Sequence, residues 1–340
     1  MVGANDSGGD TSRSSVSAGS GPTVADLGEQ ALIGRLTAMS TRAAADLPTD
    51  SDRLLIGPGD DAAVIAMSSD LIVSTDSLVQ DRHFRLEWST PENIGRRAAI
   101  QSAADIAAMG GRVSALVVSI ACPPSTGVDW VLAVNHGLNR AAVAVGARVV
   151  GGDVVSADQI VLTVTVFGST DGRAAVPVSG ARVGDRLAVS GPLGSSAAGL
   201  ALLMAGRADS YPDLVAAHRV PVVDLAVGVI AAEHGAHAMT DVSDGLGAEL
   251  ETMARASGVS LEVVAASIPM AAGLAEAGAE LGVDPAGWAI GGGEDHQLLA
   301  AFGGAPPAGW TVIGSVLARD DDRPVRIDGS APAVPGWQSF

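Results

Sequence analysis

Strand-sized apolar runs alternate with helix-length segments from about Val24 onward, and this alternation confines the chain to α/β layering. In the first half the runs Arg53–Ile56, Ala62–Met67, Leu71–Ser74, Val113–Ala121, Arg148–Gly151 and Gln159–Phe167 read as strands. Between them, Pro91–Gly110 reads as a helix with proline in its first turn and Gly110-Gly111 as its stop, and Val128–Val145 as a second. The second half gives strands at Arg186–Ser190 and Ser260–Val264, and helices at Ser195–Ala205, Val220–Glu233 and Leu246–Ala256. No short-period repeat is visible, although each half pairs a glycine-containing loop with a following helix. With 340 residues there is room for two domains with separate cores. The stretch Ser169–Asp185 reads as their connection, so the expected domains are 24–170 and 171–340. Residues 1–23, rich in Gly, Ser, Asp and Thr, are expected to be a disordered tail.

All 20 basic residues are arginine. A phosphate-binding P-loop, a protein-kinase fold and a pyridoxal Schiff base each require lysine, so these three classes are excluded. The net charge of −18 argues against a nucleic-acid partner, because phosphate neutralisation needs a basic face. No apolar run approaches the ~20 residues of a membrane span, and no secretory signal is visible. One cysteine, Cys122, cannot close an intrachain disulfide, which suits a reducing cytoplasm.

The informative residues are aspartates that punctuate apolar runs. They occur in Gly57-Pro58-Gly59-Asp60-Asp61, in Ser74-Thr75-Asp76-Ser77, in Gly151-Gly152-Asp153 and in Thr240-Asp241-Val242-Ser243-Asp244-Gly245. Singly, each has a plain explanation as a turn former or helix cap. Asp105 is harder to dismiss, since it sits inside the alanine-rich helix, where a carboxylate needs a partner or a metal. Converging aspartates without lysine would repel one another. Hard oxygen donors select Mg²⁺, which in turn bridges carboxylates to phosphate oxygens. An acidic, glycine-rich site therefore reads as a polyphosphate site whose positive charge comes from metals. His83, one short loop beyond Asp76, is a candidate substrate contact, whereas His234 and His237 lack a third metal ligand nearby.

Six stretches, in order, resemble the thiamine-monophosphate kinase family, a relative of aminoimidazole ribonucleotide synthetase. They are Gly57–Val64, Ser74–Phe84, Arg96–Gly110, Gly151–Val154, Thr240–Gly247 and Gly291–Leu298. The resemblance implies an α/β two-domain fold like that of the synthetase. The N-terminal domain would form a β-barrel spanning a homodimer, and the C-terminal domain an α/β sandwich that closes over the substrate. It implies ATP-dependent conversion of thiamine monophosphate to thiamine diphosphate with several Mg²⁺ ions. The implied metal ligands are Asp60, Ser74, Thr75, Asp76, Asp105, Asp153, Asp241 and Asp244, with Asp76, Asp105, Asp153 and Asp241 central to catalysis. His136, Gly152, Asp153 and Ser243 match ATP contacts, and His83, Glu294 and Trp337 match contacts to thiamine phosphate.

One position departs from the family pattern. Val178 stands where an ATP-holding arginine usually precedes Ser-Gly-Ala, leaving Arg173 and Arg182 as nearby guanidiniums. The alternatives are a synthetase-like enzyme of the same superfamily and a non-catalytic nucleotide- or metal-binding protein that keeps the fold.

Overall fold

The computed structural model describes residues 21–47, 53–58, 62–67 and 69–331. Most of the expected tail, together with Asp60 and Trp337, lies outside them. At the described start of the chain, Thr23 caps α1 (Val24–Leu27) through a reciprocal bond with Asp26, and α2 (Glu29–Ala43) follows. A short antiparallel pair, β1 (Arg53–Ile56) and β2 (Val64–Ala66), leads into β3 (Leu71–Val79). Then come α3 (Pro91–Ala108), β4 (Arg112–Cys122), α4 (Val128–Ala144), β5 (Arg148–Ser156) and β6 (Val161–Ser169).

The strand order of this first sheet is β3-β6-β4-β5, with β4 and β5 parallel and the other pairs antiparallel. Helices α3 and α4 cover one face and bury Ile94, Ile106, Leu116, Leu138 and Val164. Thr90 caps α3 through the Asn93 amide, and Pro91 occupies the first turn, where no donor is needed. The two helices cross at glycines. A Cβ on Gly95 would stand 2.0 Å from the Val134 carbonyl oxygen, and one on Gly137 would stand 2.0 Å from that of Glu92.

The other sheet face carries Leu71 and Val73, 56% and 55% exposed, and Val155, 44% exposed. Beside them, hydroxyls bond across β3 and β6: Ser77 to Thr163 at 2.7 Å and Thr75 to Thr165 at 3.1 Å.

The second half contains β7 (Arg186–Val189), α5 (Ser195–Met204), α6 (Pro212–Arg219), α7 (Ala226–Glu233), β8 (Ala236–Asp241) and α8 (Leu246–Ser257). It continues with β9 (Ser260–Val263), α9 (Leu274–Leu281), α10 (Pro285–Gly291), β10 (Leu298–Phe302), β11 (Thr311–Leu317) and β12 (Val325–Ile327). Its sheet runs β12-β9-β11-β7-β10-β8. One core joins Leu187, Val189, Leu202, Leu250, Met253 and Ile313 on one side of that sheet. A smaller one, on Met239, Phe302 and Trp310, takes in Ala107 and Ala108 from the end of α3. Helix α3 therefore belongs to both packing layers.

Three expectations need correction. Asp76 and Asp153 lie within β3 and β5 rather than at strand ends. Both strands are sheet edges with a single partner, and an edge tolerates polar residues that a central strand would exclude. The helix expected from Val220 begins only at Ala226, because residues 220–225 run through Pro221 as an irregular connection. Helices α6, α9 and α10 and strands β10, β11 and β12 have no counterpart among the elements expected from the sequence. Among the described residues both sheets are open, and no closed barrel forms within one chain.

Gly137→Ala should lower stability by about 3 kcal/mol, since the methyl must push α3 from α4. Gly34→Ala, with nothing within 4 Å of the added carbon, should raise it by up to about 1 kcal/mol. Thermal melts of the two variants beside wild type test this contrast.

Candidate active site

The helical period places Arg97, Gln101 and Asp105 on one face of α3, each four residues from the next. Alternation along β3 turns Ser74 and Asp76 toward that face. The Ser74 hydroxyl donates to Asp105 Oδ2 at 2.5 Å, and the Gln101 side chain faces Asp76. The second domain faces them with Asp241 at the end of β8, Asp244 just beyond it, and the loop between α10 and β10 that carries Glu294 and His296.

A chain of charges joins the domains. Arg97 Nη2 donates to Glu294 Oε2 at 2.7 Å, His296 Nε2 stands 3.5 Å from the same oxygen, and His296 Nδ1 meets Asp241 Oδ2 at 2.9 Å. Arg97 and His296 are buried. The loop adopts a conformation that ordinary residues avoid, with φ of 69° at Glu294 and 54° at His296. Its anchor is Asp295, whose two oxygens accept the Gly194 amide at 2.6 Å and the Ser196 amide at 3.0 Å, at the start of α5. The Ser196 hydroxyl reaches His218 Nδ1 at 3.1 Å, and the His218 carbonyl accepts Arg97 Nη1 at 3.3 Å. Strain of this kind clusters where geometry is over-determined for function.

Electrostatics follow from crowding and burial. Burial pushes Asp105 up to about 7, helped by the neighbouring Asp241 and Asp76. It raises Asp76 and Asp244 likewise, again with acidic neighbours adding to the shift. Glu249, buried beside Asp241, rises to about 7. Burial opposes the charged form of His296, but the hydrogen bond to Asp241 and the nearby Glu294 carboxylate outweigh it and carry the imidazole up to about 10. Burial works against ionised Glu294 as well, yet Arg97 and His296 hold it below the ordinary carboxylate range. His83 is shifted down by burial and faces Glu294, Arg97 and Asp76.

The structure thus brings together Ser74, Asp76, His83, Asp105, Asp241, Asp244 and Glu294. Ser243 stands beside them, its hydroxyl 3.3 Å from Glu249 and its carbonyl accepting the Glu294 amide. Thr75 lies in the same strand but turns to the open sheet face. In sheet register, Asp76, Val164, Val118 and Gly152 form one row, so Gly152 is three strand spacings, roughly 14 Å, from Asp76. Asp153 shares the next row with Ser77 and projects toward the open face; its Oδ1 accepts the Val154 amide at 2.9 Å. His136 is exposed on α4.

Near Val178, Arg173 pairs with Asp171 and Glu233 at 3.6 and 3.7 Å, while Arg182 lies 3.3 Å from His237. Neither approaches the acidic cluster through these bonds. Sequence reasoning missed Arg97, Gln101, Glu249 and His296. The legible signal for the first two was a four-residue polar period in an alanine helix.

The donor set suits a hard divalent cation in kind. It consists of crowded, buried carboxylates and the Ser74 hydroxyl, beside Gln101 Oε1, a buried oxygen without a hydrogen-bond partner among the described residues. As placed, no three described His, Cys, Asp or Glu side chains converge on one point.

The fold and this cleft define a two-domain AIR synthase-related protein. Residues 59–170 match the N-terminal domain of that family and residues 182–325 its C-terminal domain. Within it, the chain belongs to the thiamine-monophosphate kinase family. It is 46% identical to the thiamine-monophosphate kinase of Mycobacterium tuberculosis over 322 residues, 94% of this chain and 93% of that one. The Corynebacterium glutamicum kinase is 41% identical, covering 94% and 96%. The solved structure of AaThiL complexed with AMPPCP and TMP superposes with a TM-score of 0.75 at 29% identity, over 92% of this chain and 97% of that one.

The buried His218 gives a pH test. Burial lowers its folded value to about 4, from the ordinary 6.5 of a solvated imidazole, so the folded protein holds it neutral. Below about pH 6.5 the unfolded chain takes up a proton that the folded one does not. Its contribution to stability should therefore be present above that pH and fall by about 1.4 kcal/mol per unit as pH drops toward 4. Chemical denaturation of wild type and His218→Gln across that range measures the difference; a gap independent of pH would contradict it.

Proposed function

We propose that the chain transfers the γ-phosphoryl group of ATP to thiamine monophosphate, yielding thiamine diphosphate and ADP. The observation that carries this reading is the meeting of Asp76 and Asp105 from one domain with Asp241, Asp244 and Glu294 from the other. Mg²⁺, held by Asp76, Asp105, Asp241 and Asp244 with Ser74 and with Asp60 from outside the described residues, would neutralise the phosphates when bound.

The protein's own part is alignment. Arg97 and His296 offset the acidic wall and fix Glu294 and Asp241, leaving Asp241 Oδ1 free of the His296 bond. His83 accepts the Val79 amide on Nδ1 at 2.9 Å, so its neutral ring presents Nε2–H to a substrate beside Glu294. The acceptor is already an anion, so no strong base is required, and transfer proceeds in line without a phospho-enzyme.

ATP lies against the N-terminal domain at Gly152, Asp153 and His136, with Ser243 reaching it from the second domain, and Trp337 completes the thiamine site. The domain boundary falls near residue 170. Asp153 and Thr75 project from the open sheet face, away from Asp76, so any metal they hold would lie on the side where two chains would meet. That face, with Leu71, Val73 and Val155 exposed, supports a homodimer in which two such sheets close a barrel. No described helix is long and apolar enough to cross a membrane, and the free, buried Cys122 suits a reducing cytoplasm.

Thiamine diphosphate should form from ATP and thiamine monophosphate only with Mg²⁺, and Asp76→Asn should reduce turnover by about a thousandfold or more. Mg²⁺-independent product, or a trapped aspartyl-phosphate, would refute the mechanism. Val73→Glu should convert the dimer to a monomer in sedimentation; an unchanged mass would place the interface elsewhere.

A further inference from the structure

A groove of about 860 Å³ runs along the side of α3 turned away from the carboxylate cluster. The helix separates the two by side-chain direction. Arg97, Gln101 and Asp105 face the cluster, whereas Arg96, Ile100 and Ala107 line the groove. Its walls come from both domains: α4, the starts of β4 and β5, and the segment entering α7. Besides Arg96, the guanidiniums of Arg112, Arg140 and Arg148 line it, against Asp171 and Asp224 as acids. Guanidiniums outnumber carboxylates in this lining, within a chain whose formal charge is −18.

Arg112 bonds Asp171 at 2.9 Å and Arg140 bonds Glu92 at 2.7 Å. Their side chains nonetheless remain 57% and 61% exposed. A guanidinium has five N–H donors, so each keeps donors for a further anion. The floor is apolar, built from Ile100, Val113, Leu225 and Val229. An apolar floor with several cationic groups in its lining, at this volume, has the make-up of a small-molecule site.

We propose that this groove binds a small organic phosphate, its apolar body on the floor and its phosphate held by the guanidiniums. The site is independent of the kinase reading and needs no metal. It is opposite in sign to the catalytic cleft, so the two take the same anions under different conditions. In EDTA the uncompensated carboxylates of Asp76, Asp105, Asp241 and Asp244 repel phosphate, while the arginine groove still attracts it.

The test titrates the full chain with phenyl phosphate in EDTA, followed by calorimetry, with inorganic phosphate as the probe lacking an apolar body. Saturable binding of phenyl phosphate is expected, at least about threefold tighter than that of inorganic phosphate and weakened at least about tenfold in Arg112→Gln/Arg140→Gln. Should the double variant fold poorly, the single Arg112→Gln variant, altered at an exposed side chain, is read in its place. No saturable binding to wild type, or equal binding by wild type and variant, would overturn the proposal.

Discussion

Mutual repulsion among the carboxylates carried by β3, α3 and β8 is the constraint around which the site is arranged. Burial raises the proton affinity of Asp76 and Asp105, and the neighbouring Asp241 carboxylate adds to both shifts. The protein supplies two buried cations of its own, Arg97 paired with Glu294 and His296 set between Glu294 and Asp241. Removing either would leave a buried acid uncompensated, a change that ordinarily costs about 3–5 kcal/mol. The remaining negative charge is not balanced within the chain, and that imbalance makes the cleft receptive to divalent ions and their phosphate ligands.

The same groups set the relation between the domains. Arg97 arises from the N-terminal helix, while Glu294, His296 and Asp241 arise from the second domain, so the ion chain is also an inter-domain fastening. Asp295 fixes that loop to the start of α5, and the strained backbone at Glu294 and His296 is held by bonds on both sides. Packing reinforces the join. Ala107 and Ala108 at the end of α3 enter the second domain's core, and a Cβ on Gly228 would stand 2.0 Å from the Ala107 carbonyl oxygen. Small residues in α3 let one helix serve two layers, with the acidic cleft along one side and the arginine groove along the other.

The absence of lysine gives this arrangement its character. Arginine's planar, multi-donor head suits buried pairing, as Arg97 shows, and lets exposed Arg112 and Arg140 keep spare donors while paired.

Much of the architecture was legible because local periodicity drives it. Helices α3, α4, α5 and α8 and strands β4 and β6 fall close to their expected positions, since apolar spacing and Pro or Gly punctuation operate within a few residues. The aspartates and His83 could be singled out from their places beside apolar runs, and Glu294 from the family resemblance. Tertiary structure decided the rest, because the deciding neighbours are remote in sequence. Whether Asp76 ends a strand or lies inside one depends on β6 running alongside it. Sheet register put Thr75 and Asp153 on the face away from Asp76, a matter of alternation once pairing is fixed. Arg97 looked like any helix-surface arginine until Glu294, 197 residues further along, was folded against it. Sequence by itself determined which chemical groups the chain can bring to a site; only folding decided which of them share one dielectric environment, because burial and charge act through distance in space.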